Sequence, residues 1–400
     1  MNKYKVTYPG LEDMIITKEE LIEGTYHIHL ERQRTPSRCP RCTHMTSKVH
    51  DYRIQKIQHT KLFERPTVLF YRKRRYVCSC GKRFAEHVEF VDRYQRYSKE
   101  WNQLVQIRTT QEGTFTQVAK QQGCSIPTVM RRFKKLISET KHRKQLPRHV
   151  AIDEYKGDTD AGKFQLLIAN AETKEPIDIL PDRRKDTIKR YFQRYGWNVE
   201  IVVMDMSSSF RAAIEEAIER PIIIADRFHF VRYVYWSLDT VRRTVQKTWH
   251  AYNRKSIKRS RTVLYKRNLS PLKRKELMRY LSYSEELTEA YQLKESFVQW
   301  FDQSKESKDI SEVKKGLIDW YEEVLVSNCE PMKRTVMTFK RWQTEILNSF
   351  VYGYTNGFVE GLNNKTKVIK RAAYGFRSFD HFRAKILLSH KYKNIGSHLG

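Results

Sequence analysis

The chain has 400 residues, with 76 Lys and Arg against 46 Asp and Glu, for a formal net charge of +30. Its length predicts two to four domains at ~100–200 residues each, and its charge exceeds the roughly 2–8 that keeps a small domain soluble, so a polyanionic partner is expected. Abundant aromatics argue against a disordered basic tail; no apolar run nears the ~18 residues of a membrane span, Met1–Gly10 lacks a signal-peptide segment, and six cysteines are too few for a disulfide scaffold. Secreted, membrane and coiled-coil classes are therefore excluded, and a cytosolic nucleic-acid protein leads.

Along the chain, residues 1–90 are expected to form a zinc-binding module. Cys39-Pro-Arg-Cys42 and Cys78-Ser-Cys80-Gly-Lys-Arg-Phe84 are two close cysteine pairs separated by 35 residues. Tetrahedral Zn²⁺ takes four thiolates, and tight turns supply them without a large core. Ordinary buried cysteines are the plainer alternative, but basic and polar neighbours are poor surroundings for inert thiols. The expectation is one structural Zn²⁺ on Cys39, Cys42, Cys78 and Cys80, with Cys124 and Cys329 as core residues. Arg53 to Arg83 also holds ten Lys or Arg against Glu64 alone.

Residues 91–137 read as a helix-turn-helix. Ala119 is small where helices cross, Gly123 sits at the turn, Ser125 caps the second helix and Val129 faces inward. Ser125, Thr128, Arg131 and Arg132 are then the candidates for DNA contact, in a helix that presents polar side chains to the major groove. A plain helical hairpin is the alternative. A basic linker over 138–148 follows.

Composition then shifts to strands at Val150–Tyr155, Phe164–Ala169 and Glu175–Leu180, a helix at Asp186–Tyr195, a buried strand at Val199–Asp205, a helix capped by Ser207, and a strand at Pro221–Asp226. This predicts a mixed sheet with helices on both faces, its first part over 149–234. A helical insertion over 235–349 comes next, and 350–400 supplies the last helices. Within the insertion, Arg242 to Arg279 holds fourteen Lys or Arg against Glu276 alone, with Trp249, Tyr252 and Tyr265 interleaved. Solvated faces usually mix both signs, so Lys258, Arg259 and Arg261 are expected to meet phosphates.

Asp153 in the first of these strands, Asp205 ending the fourth and Glu360 on a late helix are carboxylates that can converge on two Mg²⁺ or Mn²⁺ ions, the arrangement that clamps both oxygens of a phosphoryl displacement. Each singly is more often a surface group. Glu154 alternates to the other sheet face and is left out. Helical spacing places Asn363, Asn364, Lys367 and Arg371 near the face of Glu360, with Lys370 beside them, as a stripe for gripping DNA. Asp226 and His229 are accessory candidates, His229 to position phosphate or shuttle a proton; a structural histidine is the alternative.

In order, Cys-Pro-x-Cys, Cys-x-Cys-Gly-Lys-Arg-Phe, a helix-turn-helix, Ile-Asp-Glu, Val-Met-Asp-Met-Ser, Ala-Asp-Arg-Phe-His and Val-Glu-Gly-Leu-Asn-Asn-Lys resemble the ISL3 family of bacterial insertion-sequence transposases, from about Cys39 to Leu388. The resemblance implies a multidomain protein with an α/β ribonuclease H-like catalytic domain, whose DDE triad falls on Asp153, Asp205 and Glu360. It also implies binding of terminal inverted repeats and target double-stranded DNA, metal-dependent cleavage and strand transfer, action as a homo-oligomer on paired ends, and a cytoplasmic, nucleoid-associated place in a bacterium. A non-catalytic DNA-binding regulator on the same scaffold, or a metal nuclease without strand transfer, would share most of these features.

Overall fold

The computed structural model describes residues 8, 10–111, 113–140, 145–248 and 251–391, without the side chains of 139, 140, 251–257 and 391. The chain divides into two compact units, one drawn from Met1–His142, Ile369–Gly375 and Asp380–Gly400, the other from Arg143–Val368 and Phe376–Phe379.

The first unit begins with β1 (Met14–Ile22), β2 (Thr25–Arg32), β3 (Ser37–Arg38), β4 (Met45–Thr46), β5 (Val49–Leu62), β6 (Arg65–Val77) and β7 (Arg83–Ala85). The main sheet runs β1-β2-β6-β5, with β7 also on β6, while β3 and β4 form a small separate pair. Alternation along β6 buries Thr67, Leu69 and Tyr71 and turns Arg72 outward. Leu69 and Tyr71 join Ile28, Leu30 and Ile57 in a core closed by Val88, Phe90 and Val91. The β5–β6 ribbon closes through Phe63 and Glu64, both with positive φ (48° and 61°), as a two-residue hairpin turn requires. Three helices follow: α1 (Lys99–Gln111), α2 (Phe115–Gln122) and α3 (Ile126–Thr140). Thr114 caps α2, accepting from the Gln117 amide, and Gly123 ends it at φ 61°, a left-handed cap that glycine adopts without strain. Trp101, Val105, Val118, Ala119 and Val129 form the core between the three helices.

The second unit contains β8 (His149–Thr159), β9 (Gly162–Asn170), β10 (Pro176–Leu180), α4 (Lys185–Tyr195), β11 (Ile201–Met204), α5 (Ser208–Glu215) and β12 (Ile222–Ala225). Its sheet order is β10-β9-β8-β11-β12; β8, β9 and β10 pair antiparallel, whereas β11 runs parallel to both β8 and β12. The four residues of β11, Ile-Val-Val-Met, are all buried, as suits a strand covered on both faces. Helices α6 (Arg227–Thr248), α7 (Ala251–Tyr265), α8 (Pro271–Leu281), α9 (Glu285–Glu306), α10 (Ile310–Val326), α11 (Glu330–Arg341) and α12 (Gln343–Val351) follow, then α13 (Gly357–Ala372), whose residues from Ile369 count with the first unit, as does α14 (Phe379–Lys391) from Asp380.

One hydrophobic core runs from the sheet residues Ile152, Val202 and Ile223 to the insertion residues Phe297, Trp320 and Phe339. The anticipated division at 234/235 falls inside α6, which starts directly after β12, so the insertion grows out of the sheet's own packing. Likewise α3 continues to Thr140, past the expected start of the linker; residues 141–144 of that linker lie outside the described residues. The 1–38 lead-in carries β1 and β2, which sequence patterning did not show. Trp249 lies outside the described residues, and the Tyr252 side chain is likewise undescribed. No described helix is long and apolar enough to cross a membrane.

Candidate functional site

Strand register builds the acidic site. Val203 on β11 pairs Ala151 on β8, and Met204 pairs Ala225 on β12. One or two residues further along, the same register brings Asp153 of β8 level with Asp205 and Asp226, the residues just after β11 and β12, at the carboxyl edge of that parallel pair. That edge is where open α/β sheets place ligands. The Asp226 amide donates to the Met204 carbonyl at 2.9 Å, extending the pairing by one residue. His229, on the first turn of α6, places Nδ1 2.6 Å from Asp205 Oδ2 and Nε2 4.0 Å from Asp226 Oδ2. The ligand atoms of Asp205, Asp226 and His229 all lie within 4.8 Å of one another.

Two asparagines tie these carboxylates to the segment around the start of α13. Asn363 Nδ2 donates to Asp153 Oδ2 at 2.6 Å, while Asp153 Oδ1 accepts from the Glu154 amide at 2.8 Å. The Asn356 backbone amide donates to Asp226 Oδ1 at 3.1 Å, and its side-chain Nδ2 donates to the Ile152 carbonyl at 3.1 Å. Both asparagines are buried. Asn363 was expected on DNA; burial and the bond to Asp153 place it inside the acidic site instead. Asn356 was not singled out at all. Its contacts lie 130 and 204 residues away along the chain, and no local pattern signals them.

The electrostatics follow from packing acids together under cover. Burial, reinforced by the Asp205 charge, pushes the Asp153 carboxyl up to about 7. Burial also raises Asp226, although the Asn356 amide works against it. Burial alone would lower His229, but its hydrogen bond to Asp205 and that carboxylate's charge outweigh it and the pKa rises. Asp205 Oδ1, Asn356 Oδ1 and Asn363 Oδ1 are buried without a hydrogen-bond partner among the described residues. Oxygen acceptors left bare beside three carboxylates fit a divalent cation such as Mg²⁺, which takes oxygen ligands. Glu360 is exposed on the first turn of α13, one turn before Asn363, and is not part of the close Asp205–Asp226–His229 group. Glu154 pairs with Arg183, away from that group, as strand alternation requires.

In the first unit, the four cysteines converge: Cys39 Sγ lies 3.7 Å from Cys80 Sγ, and Cys42 Sγ 3.5 Å from Cys78 Sγ. Tetrahedral Zn–S bonds of ~2.3 Å put sulfurs about 3.8 Å apart, so the set fits zinc. Gly81 carries the tight second turn at φ 82°.

Of the helix-turn-helix candidates, Ser125 and Arg131 are exposed. Thr128 is buried, with its hydroxyl 3.0 Å from Ser125 Oγ and 3.1 Å from Arg131 Nη2. Arg132, expected to point outward, is half-buried and donates to Gln95 Oε1 at 3.2 Å; an arginine stem at a helix–loop junction packs more readily than it solvates. In α7, Lys258, Arg259 and Arg261 are exposed, with Arg261 3.8 Å from Asp239. On α13, Asn364, Lys367 and Arg371 are exposed and Lys370 is half-buried.

Comparison with known proteins gives three family matches along the chain. Residues 150–386 match a family model described as a transposase, residues 35–80 one for the zinc-finger of transposases IS204, IS1001, IS1096 and IS1165, and residues 86–137 one for the helix-turn-helix domain of transposase family ISL3. A protein of Bordetella parapertussis named as the transposase for insertion sequence element IS1001 is 25% identical over 379 residues, 90% of this chain and 91% of that protein. A local match of 72 residues, 42% identical, joins 17% of this chain to 23% of a Lactococcus lactis protein named ATP-dependent protease, too short a stretch to bring that activity here.

Proposed function

The chain belongs to the ISL3 family of transposases, with a zinc ribbon and a helix-turn-helix DNA-binding domain ahead of its transposase domain, and from that premise we propose that it cuts and joins DNA at the acidic site of its second unit. The reading rests on one observation: Asp153, Asp205 and Asp226 are level at one sheet edge, buried or half-buried, and oxygens of Asp205 and of the adjoining Asn356 and Asn363 are buried without a partner among the described residues. A protein that only bound DNA would gain nothing from gathering buried acids there, since burying charge costs free energy. The sheet order, three antiparallel strands followed by two parallel ones, supports a ribonuclease H-like core.

Asp153, Asp205 and Asp226 would hold Mg²⁺ or Mn²⁺, with Glu360 one helical turn from the Asp153-bound Asn363 as the further carboxylate. Two such ions supply a clamp on the attacking and leaving oxygens of an in-line displacement at phosphorus. The protein's own groups aim the reaction. His229, hydrogen-bonded to Asp205, is positioned to take the proton of an attacking water and to return it to a leaving 3′-oxygen. Water attack breaks the P–O3′ bond and leaves a 3′-hydroxyl and a 5′-phosphate. That hydroxyl then attacks a phosphodiester of target DNA, forming one P–O bond and releasing a target 3′-hydroxyl. Ser125 and Arg131 on α3, the exposed cations of α7, and Asn364, Lys367, Lys370 and Arg371 along α13 would hold the terminal repeats and target duplex. The ISL3 resemblance supports action as a homo-oligomer on paired ends.

The test is cleavage of DNA carrying the element's ends, with Mg²⁺ or Mn²⁺, by the wild type and by Asp205→Asn. The variant should lose cleavage by orders of magnitude while binding the same DNA, because the charge that holds a cation is gone and the shape is kept. Wild-type-like cutting by the variant would remove Asp205 from the site. A wild type that binds these ends but never cuts them would instead be a regulator.

A further inference from the structure

A groove of about 1080 Å³ opens between the zinc turns, the β5–β6 ribbon and the segment around residues 86–94. Eight Lys or Arg side chains line it against two carboxylates, Glu86 and Asp92. Glu86 is buried and engaged by the Tyr71 hydroxyl and the Arg74 guanidinium, and Asp92 stands 3.9 Å from Lys99. Arg75 pairs with Asp51 at 2.9 Å, which leaves Arg41, Arg53, Lys73, Lys82, Arg83 and Arg93 without a carboxylate partner among the described residues. A solvated face normally interleaves both signs. Six like charges held by the zinc turns, the ribbon and the segment around residues 86–94 create a potential that only an outside anion relieves.

The groove also leads somewhere. Tyr94, 82% exposed, has the Arg93 guanidinium 4.7 Å from its ring and lines both this groove and the adjoining depression formed by Gln55, Lys56, Gln58 and Gln95. From there the path reaches the helix-turn-helix within the same unit. Gln58 Nε2 donates to the Gln122 carbonyl at 2.9 Å, just before the turn, and Gln95 Oε1 accepts from Arg132 of α3 at 3.2 Å.

We propose that this basic track holds the phosphate backbone of the same duplex whose bases α3 reads, so that one rigid unit both reads a site and grips its flank. The inference rests on the helix-turn-helix reading DNA, as given under the proposed function. Arg53 and Lys73 are cross-strand partners. Gln58 lies five residues further along β5, ~17 Å at the usual strand rise, which matches about five base pairs of duplex. The flank contact therefore adds about five base pairs of backbone protection on one side of the site. It carries no base preference, because phosphate contacts position a protein without reading sequence.

The experiment uses the intact, zinc-loaded chain and a duplex carrying the DNA that borders its own gene. Hydroxyl-radical footprints and affinities across a salt series compare the wild type with the triple variant Arg53→Ala, Lys73→Ala, Lys82→Ala, whose zinc content confirms the fold. The variant should keep protection over the α3 site, lose it over the flank, and show a slope of log affinity against log salt shallower by about 2.7, at ~0.9 for each of three phosphates. Scrambling the flank sequence should leave that difference unchanged. An unaltered footprint and slope overturn the track, as does a loss that depends on flank sequence. A wild type that ignores this DNA altogether overturns the proposed function rather than the track alone.

Discussion

The β5–β6 ribbon and the edge of the β8–β11–β12 sheet are both paired strands decorated with charge, yet they hold that charge under opposite conditions. Along the ribbon, Arg53, Lys56 and Arg72 stand in water, where like charges are screened and each costs little. At the sheet edge three aspartates are drawn under cover, and the strain shows in Asp153, whose carboxyl is pushed up to about 7 by burial and by its neighbour Asp205. One arrangement spreads its charge over many exposed side chains. The other gathers it on three buried or half-buried carboxylates. Arg74 marks the boundary case: a buried cation on the ribbon is tolerated only because Glu31 and Glu86 lie 3.5 and 3.6 Å away.

Loss of one ligand should test the first unit hardest. Small zinc modules derive ~10 kcal/mol or more from the metal, which is their folding free energy. Cys42→Ser should therefore release zinc, unfold the turns around Cys39 and Cys78 and weaken DNA binding, while the sheet of the second unit stays folded. Zinc analysis with hydrogen exchange on both units checks this, and equal loss of protection in both would show that they do not fold independently.

A smaller effect should appear in the metal-free second unit as pH changes. An aspartate raised from 3.8 to about 7 on folding binds its proton more tightly in the folded chain. Stability then falls as pH rises from about 4 to 7 and levels off above, on the order of a few kcal/mol. Divalent cations need the ionised form, so added Mg²⁺ should stabilise the protein more at pH 8 than at pH 6. Thermal unfolding with and without Mg²⁺ measures both trends, and Asp153→Asn should flatten the metal-free one. A wild-type profile with no slope between pH 4 and 7 would contradict the burial described here.

The smallest effect belongs to dispersed cations. Replacing Lys258, Arg259 and Arg261 by Ala should lower DNA affinity similarly for all sequences and flatten its salt dependence by no more than about 2.7. Since Arg261 already lies 3.8 Å from Asp239, its share should be the least of the three. An unchanged slope would return α7 to an ordinary solvated face.

These contrasts also explain what sequence could reveal. The cysteine pairs, the Gly123 turn and the aspartates after buried strands are legible because local chemistry dictates them: thiolate spacing, a left-handed cap, and an acid following Ile-Val-Val-Met. β1 escaped notice because most of its residues are exposed or half-buried, so it lacks a clean alternation. Asn356 and Asn363 gain meaning only from Asp226, Ile152 and Asp153, which are far away in sequence. Helical spacing placed Asn363 on the stripe of Glu360 but could not say that it faces Asp153. The sheet's strand order, too, depends on crossovers that no single segment encodes.

The last described helices bear on when the protein becomes competent. Asn356 and Asn363, around α13, fasten Asp226 and Asp153 in the second unit. Ala384 and Leu388 of α14 complete the apolar cluster of Phe133 and Leu136 on α3 in the first. Both units thus wait for residues made late in translation. A nascent chain, or one released early by a stalled ribosome, has its recognition helix only partly covered and its acidic row unfastened.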